Sequence, residues 1–278
     1  MTRVLIASDI HYCELGWFGL SRDEKAENFC ADLQAEYEKQ PYEALLLLGD
    51  YSLDHWFWNT KGTYLTQGIS NTKLFIDRYL SRAVPEGVEV RMIAGNHEQY
   101  GEELYKELTG FNRRDHLICG NTLFILTDTF GGDLDPTEHS DGTYIGANVD
   151  DITELMSKHP DKNVILCAHW FDMDKESEAF GEILQREERI KCLICGHNHT
   201  SRISNTGEEN GNKPILYTGN YSYSGEKDPK RCLFGYRELI ITDESITSKY
   251  ISRPHTYTVS GDTFTSEYTE QDEITITL

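Results

Sequence analysis

The chain has 278 residues, and its 26 Lys+Arg against 47 Asp+Glu give a formal net charge of −21. Hydrophobic residues make up 38% and aromatics 11%, enough for a packed core, which excludes wholesale disorder. The longest apolar runs, such as Ala44–Leu48 and Val164–Ala168, fall far short of the ~18 residues of a membrane helix.

Val4–Ala7 is too short for a signal-peptide core. Extended nucleic acid is a poor partner, because phosphate contacts need clustered Lys/Arg. So negative a chain also repels a polyanionic substrate unless something positive sits at the site. The seven cysteines are odd in number and irregularly spaced, a poor disulfide framework. Reduced thiols in a cytoplasmic protein are the expectation. Cys192-Leu-Ile-Cys195 lies in an apolar run that reads as a buried strand, where residues three apart face opposite ways, and no second such pair completes a zinc site.

In chain order, Arg3–Ser8 reads as a strand. Ser21–Lys39 reads as a helix, with Ala26, Phe29, Cys30, Leu33 and Tyr37 at helical spacing and Pro41 as its stop. Glu43–Leu48 is a buried strand, Asn71–Ala83 a second helix, Val88–Ala94 a strand and Gly101–Leu108 a short helix. His116–Cys119 and Thr122–Asp128 flank Gly120-Asn121, a two-residue hairpin loop. Helix Val149–Lys158, strand Val164–Ala168, helix Glu178–Glu188 and strand Cys192–Cys195 follow. From Thr200 the text is β-rich, with Ile215–Thr218, Gly235–Ile241 and Ser245–Ile251. The alternation predicts an α/β fold, an α/β/β/α sandwich of two mixed sheets flanked by helices. Residues 1–252 are expected to form one domain, with 253–278 a β-rich extension packed on it or trailing from it.

The buried strands end in metal-binding residue types. The first runs into Asp9-Ile-His11, the second into Gly49-Asp50, the third into Gly95-Asn96-His97-Glu98. The later ones end in Ala168-His169 and Gly196-His197-Asn198-His199. Open α/β sheets bind ligands at the carboxyl ends of their strands. Each fragment alone has a bland explanation: a turn, a helix cap or a satisfied core histidine. Together they would gather several imidazoles, two carboxylates and an amide at one rim, a set of desolvated polar groups that no fold needs for stability. Two imidazoles on one face, as in His197-x-His199, suit a metal.

Taken as a set, these residues resemble the calcineurin-like metallophosphoesterase superfamily, whose pattern is D-x-H, G-D, G-N-H-[DE], H and G-H-x-H. The match spans residues 9 to 199 with no missing member. The resemblance implies two metal ions. Asp9, His11, Asp50 and His199 would hold one; Asp50, Asn96, His169 and His197 would hold the other, with Asp50 bridging. His97 would serve the leaving group and Glu98 would fix the loop. Mixed imidazole and carboxylate donors suit Mn, Fe, Zn or Ni. The implied reaction is in-line attack of a metal-bridging hydroxide on a small phosphodiester or phosphomonoester.

Asp50-Tyr51-Ser52-Leu53-Asp54-His55 departs from the G-D-x-x-D-R-G of protein Ser/Thr phosphatases, which argues against a protein substrate. Asp54 is a candidate partner for His97, against the blander reading of a surface carboxylate. Trp17, Trp56, Trp58 and Trp170 each closely follow a candidate ligand and could wall a pocket for an aryl or nucleotide-like group, or simply pack the loops. Arg22, Lys61, Arg113, Arg114 and Arg202 are candidates to reach a phosphate, and nothing in the sequence selects among them. Tyr217–Tyr223 could shape the rim or be a plain turn. The alternatives are a nuclease, disfavoured by the charge, and a non-catalytic metal-binding scaffold, disfavoured because every ligand and His97 are present. The partner expected is a small phosphate ester, with no membrane; oligomeric state is left open.

Overall fold

A computed structural model describes residues 1–13, 21–54, 69–131, 142–222, 234–252, 256–259, 262–265 and 272–278. The first sheet is built from β1 (Thr2–Ala7), β2 (Ala44–Leu48), β3 (Glu89–Ile93), β10 (Gly235–Ile241), β11 (Ser245–Ser252) and β14 (Glu273–Thr277), in the order β14-β11-β10-β1-β2-β3. β1, β2 and β3 are parallel, with Leu5 opposite Leu45 and Leu47 opposite Met92. β10, β11 and β14 continue the sheet antiparallel.

The second sheet is built from β4 (Asp115–Cys119), β5 (Thr122–Leu126), β6 (Asn163–Ala168), β7 (Ile190–Cys195), β8 (Ile203–Asn205) and β9 (Pro214–Tyr217), in the order β4-β5-β6-β7-β9-β8. β5, β6, β7 and β9 are parallel. β12 (Thr256–Val259) and β13 (Asp262–Thr265) form a separate hairpin.

Both parallel portions are apolar on both faces, as strands covered on two sides must be. Val4, Ile6, Leu46 and Leu48 face Phe124, Ile165, Ile194 and Leu216 between the sheets. On the outer face of the first sheet, Leu5, Leu45 and Leu47 pack with Phe29 and Leu33 of α1 (Arg22–Lys39) and Phe75 of α2 (Asn71–Phe75). On the outer face of the second, Leu123 and Leu166 pack with Ile152 of α5 (Val149–Lys158) and Phe180 and Ile183 of α6 (Glu178–Arg186). The result is the α/β/β/α sandwich. Cys192 faces the inner core and Cys195 the outer one, so the C-x-x-C pair does not converge.

The segment read as one helix, Asn71–Ala83, is α-helical only to Phe75. A π-helical turn covers Ile76–Leu80 before α3 (Ser81–Ala83) closes it. Widening the helix there buries Leu80 and leaves Tyr79 half-exposed, where its hydroxyl donates to Asp23. Ser21 is the N-cap of α1 rather than its first residue, in a reciprocal capping box with Glu24. α4 (Glu102–Thr109) ends at left-handed Gly110. Among the described residues, no helix is long and apolar enough to cross a membrane.

Candidate metal centre

The loops leaving β1, β2, β3, β6 and β7 meet at one rim of the sandwich. The first two run side by side: Asp9 N–H donates to Gly49 O and His11 N–H to Asp50 O, both at 3.0 Å. Asp9, His11, Asp50, His197 and His199 all have left-handed backbones, with φ between 46° and 67°. A residue with a Cβ pays roughly 1–3 kcal/mol for that conformation, so surrounding contacts must hold it. Two glycines allow the close approach. A Cβ on Gly95 would overlap Asp50 Oδ1, and one on Gly196 would overlap Ser8 Oγ and Asp9 Oδ2.

The side chains converge as follows. His199 Nε2 lies 3.1 Å from Asp9 Oδ1 and 3.0 Å from His11 Nε2. His169 Nε2 lies 3.1 Å from Asp50 Oδ2 and 2.9 Å from Asn96 Oδ1. His197 Nδ1 is 2.9 Å from the same Asn96 oxygen and 3.3 Å from His169 Nε2. Asp9, His11 and His199 form one group whose donor atoms lie within 4.8 Å of one another; Asp50, His169 and His197 form another, and His11, Asp50 and His97 a third. Asp50 joins the last two. These residues fit bound cations on chemical grounds: buried Asp9 Oδ1 faces the imidazoles of His199 and His11, and imidazole nitrogens that face each other need a cation or proton between them.

Behind this layer the loops are fastened by hydrogen bonds. Glu98 Oε2 accepts the N–H groups of Asp50 (2.7 Å) and Gly95 (2.9 Å), and Oε1 those of Tyr51 (2.9 Å) and Ser52 (3.3 Å). Burial and the Asp50 charge push the Glu98 carboxyl up to about 8, and the N–H donors oppose that rise. Ser8 Oγ bonds Asp9 Oδ2 and lies 2.6 Å from Thr218 Oγ1. His169 Nδ1 donates to Leu48 O at 2.7 Å, which leaves Nε2 to point into the rim. Burial opposes ionisation of Asp50, but the imidazoles of His169 and His97 outweigh it and hold the carboxyl well below its usual range. Burial likewise disfavours protonated His169, yet the Asp50 charge and hydrogen bond lift it to about 9. His97 and His197, by contrast, are pulled down by burial to about 3 and about 4.

Other expectations are corrected. Asp54 is neither a surface carboxylate nor the partner of His97. It is buried, and accepts from Ser70 Oγ (2.7 Å), Asn71 N–H (2.9 Å) and the Tyr100 hydroxyl. Arg113 does not reach for phosphate. It is buried, with Nε on Asp128 (2.7 Å), Nη1 on the carbonyls of Glu98 (2.6 Å) and Tyr100 (2.5 Å), and Nη2 on Gly131 O (2.5 Å). Arg114 pairs with Asp151, Arg202 lies over the Tyr217 ring, and Arg22 donates to Asn71 Oδ1. Lys61, Trp17, Trp56 and Trp58 lie outside the described residues. Trp170 is described, and its ring is stacked on His197. The segment after β9 is more than a turn: Tyr221 N–H donates to Asp9 O and Asn220 Nδ2 to His199 O. Sequence reasoning passed over Ser8 and Phe130, which carry no motif of their own.

The double-sheet sandwich gathers carboxylate, imidazole and carboxamide groups at its strand ends, a donor set that suits cations. The family model for calcineurin-like phosphoesterases matches residues 2–201, and the chain belongs to that family. A solved dimetal phosphatase from Danio rerio superposes with a TM-score of 0.67 at 12% identity, covering 99% of this chain and 98% of that one. A purple acid phosphatase from yellow lupin (Lupinus luteus) seeds gives 0.60 at 13% identity, covering 99% of this chain and 53% of that one. No curated protein sequence matches the chain.

Proposed function

We propose that this chain is a dinuclear metal-dependent phosphoesterase, acting on a small phosphodiester or phosphomonoester that can be nucleotide-like. Asp9, His11, Asp50 and His199 would hold one cation; Asp50, Asn96, His169 and His197 would hold the other. The observation that supports this reading is that donors from both sheets meet in groups around Asp9 and Asp50, five of them on left-handed backbones. When bound there, two cations supply Lewis-acid charge for a phosphoryl group and lower the pKa of water. The chain's own residues do the rest. Asp50 carries the shared negative charge. Glu98 fixes the turns on either side of it through backbone N–H groups. His97 donates its backbone N–H to Asp50 Oδ1 at 3.1 Å, and its Nε2 stands 3.7 Å from Asp50 Oδ2. That places the imidazole at the rim, where it can give a proton or hydrogen bond to the leaving oxygen.

The test is turnover of bis(p-nitrophenyl) phosphate and p-nitrophenyl phosphate with added Mn, alongside metal analysis. Asp50→Ala should abolish both metal binding and turnover. His97→Ala should keep the metal and lower kcat by about 10²- to 10⁴-fold. A protein that binds two equivalents of Mn but turns over neither ester is a scaffold, and one that acts only on single-stranded DNA is a nuclease; either result overturns this reading.

A further inference from the structure

The aromatic residues beside the rim lie against imidazoles. The Trp170 and His197 rings stack with centroids 4.4 Å apart and planes 25° from parallel. Phe130, itself buried, lies 5.8 Å from both His169 and His197 and 6.3 Å from Trp170. Tyr144 meets Phe130 and Trp170 edge-on at 5.5 and 5.2 Å. Three anchors fix this cluster. Thr129 Oγ1 donates to Trp170 O at 2.9 Å. Phe130 N–H donates to Asp128 Oδ1 at 3.1 Å, while Asp128 Oδ2 holds buried Arg113. The Lys175 ammonium lies 5.1 Å from the Trp170 ring centre and is tied to Asp172 at 2.9 Å.

We infer that Phe130 and Trp170 are positioning residues, which clamp the His169 and His197 imidazoles in the orientation a cation requires. The inference rests on the phosphoesterase reading above and gives Trp170 a role other than walling a substrate pocket. Two physical effects support it. With Trp170 stacked on His197 and Phe130 against both imidazoles, the rings have less room to swing about χ2, so their nitrogens are presented to a cation with little loss of freedom. A cation on the far nitrogen also drains electron density from the imidazole, and an indole face favours such an electron-poor partner. The clamp therefore stabilises the loaded state more than the empty one.

The experiment titrates the full chain with Co²⁺, following stoichiometry by calorimetry and the ligand field by visible spectroscopy. kcat and KM for bis(p-nitrophenyl) phosphate are measured in parallel. Trp170→Leu should weaken one of the two Co²⁺ equivalents by about tenfold or more and alter the visible bands. Trp170→Phe, which keeps a stackable ring, should restore most of that affinity. With Co²⁺ saturating both sites, KM should barely move in either. Phe130→Leu tests the same clamp from its buried side, should Trp170→Leu not fold. Unchanged Co²⁺ affinity in Phe130→Leu or Trp170→Leu overturns the clamp, and a raised KM with unchanged Co²⁺ binding shows that Trp170 touches substrate instead. A wild-type chain that takes up no pair of Co²⁺ ions sinks the phosphoesterase reading itself, a result distinct from loss of the clamp alone.

Discussion

Two glutamates, Glu98 buried and Glu176 half-buried, show how differently one residue type can be provided for. Glu98 has four backbone N–H donors on its two oxygens, because the turns around Asp50 and Gly95 leave those donors without strand partners. A carboxylate is the one side chain that satisfies all of them with its own acceptors alone. Glu176 is held more sparsely, by the Tyr144 hydroxyl at 2.5 Å and Ala147 N–H at 3.0 Å. Burial raises its pKa above the usual glutamate value, against the pull of those donors. A carboxyl raised in the folded state contributes stability that is full below its unfolded pKa and is lost as pH rises through the folded one. Glu176→Gln keeps the shape and an acceptor without the charge. The variant should therefore melt above wild type at pH 7–8, with the difference shrinking as pH falls towards 4.5. A melting difference that does not change with pH contradicts the assignment.

The apolar period of each element was readable because burial is imposed face by face: α5 and β10 begin and end where the sequence pattern places them. The rim was readable because each proposed ligand stands at the end of such a strand. Tertiary partners remote in sequence were not readable. Nothing in the sequence pairs Arg113 or Arg237 with Asp128 or Asp272, 15 and 35 residues away, until the fold brings them together. Nor can a tryptophan's sequence position say whether its ring faces substrate or a histidine. Arg237 matters most to the C-terminal strand. It is fully buried on β10, donating to Asp272 Oδ2 (2.5 Å), Ser248 Oγ (3.0 Å) and Tyr217 O (2.8 Å). Asp272 directly precedes β14, and it also accepts from Ser201 Oγ. The pair thus ties β14 to its own sheet and to the other. Breaking a buried pair from one side leaves an uncompensated charge, at roughly 3–5 kcal/mol. Asp272→Ala should lose about that much in urea unfolding, and Arg237→Met with Asp272→Leu should recover most of it. A single variant as stable as wild type contradicts the tie.

The two sheets meet through an apolar core and, at one edge, through the rim. Asp9, His11, Asp50 and Asn96 follow strands of the first sheet; His169, His197 and His199 follow strands of the second. Each proposed cation site draws donors from both, so bound cations cross-link the sandwich as well as equipping it for chemistry. The linkage has a size. A ligand present at a thousandfold over its Kd adds about 4 kcal/mol to the folded state, which for a chain of this length is on the order of 10 °C in Tm. Chelation should therefore lower the melting temperature of the wild type by that order, and leave Asp50→Ala, which has no cation to lose, where it was. Hydrogen exchange locates the effect. Protection should fall at residues 95–100 and 196–199, where the two sheets' loops face each other, and hold along β2 and β6, whose ladders do not depend on the rim. A wild-type Tm indifferent to chelator would mean that the strained loops are held by protein contacts alone, and that no cation joins the sheets.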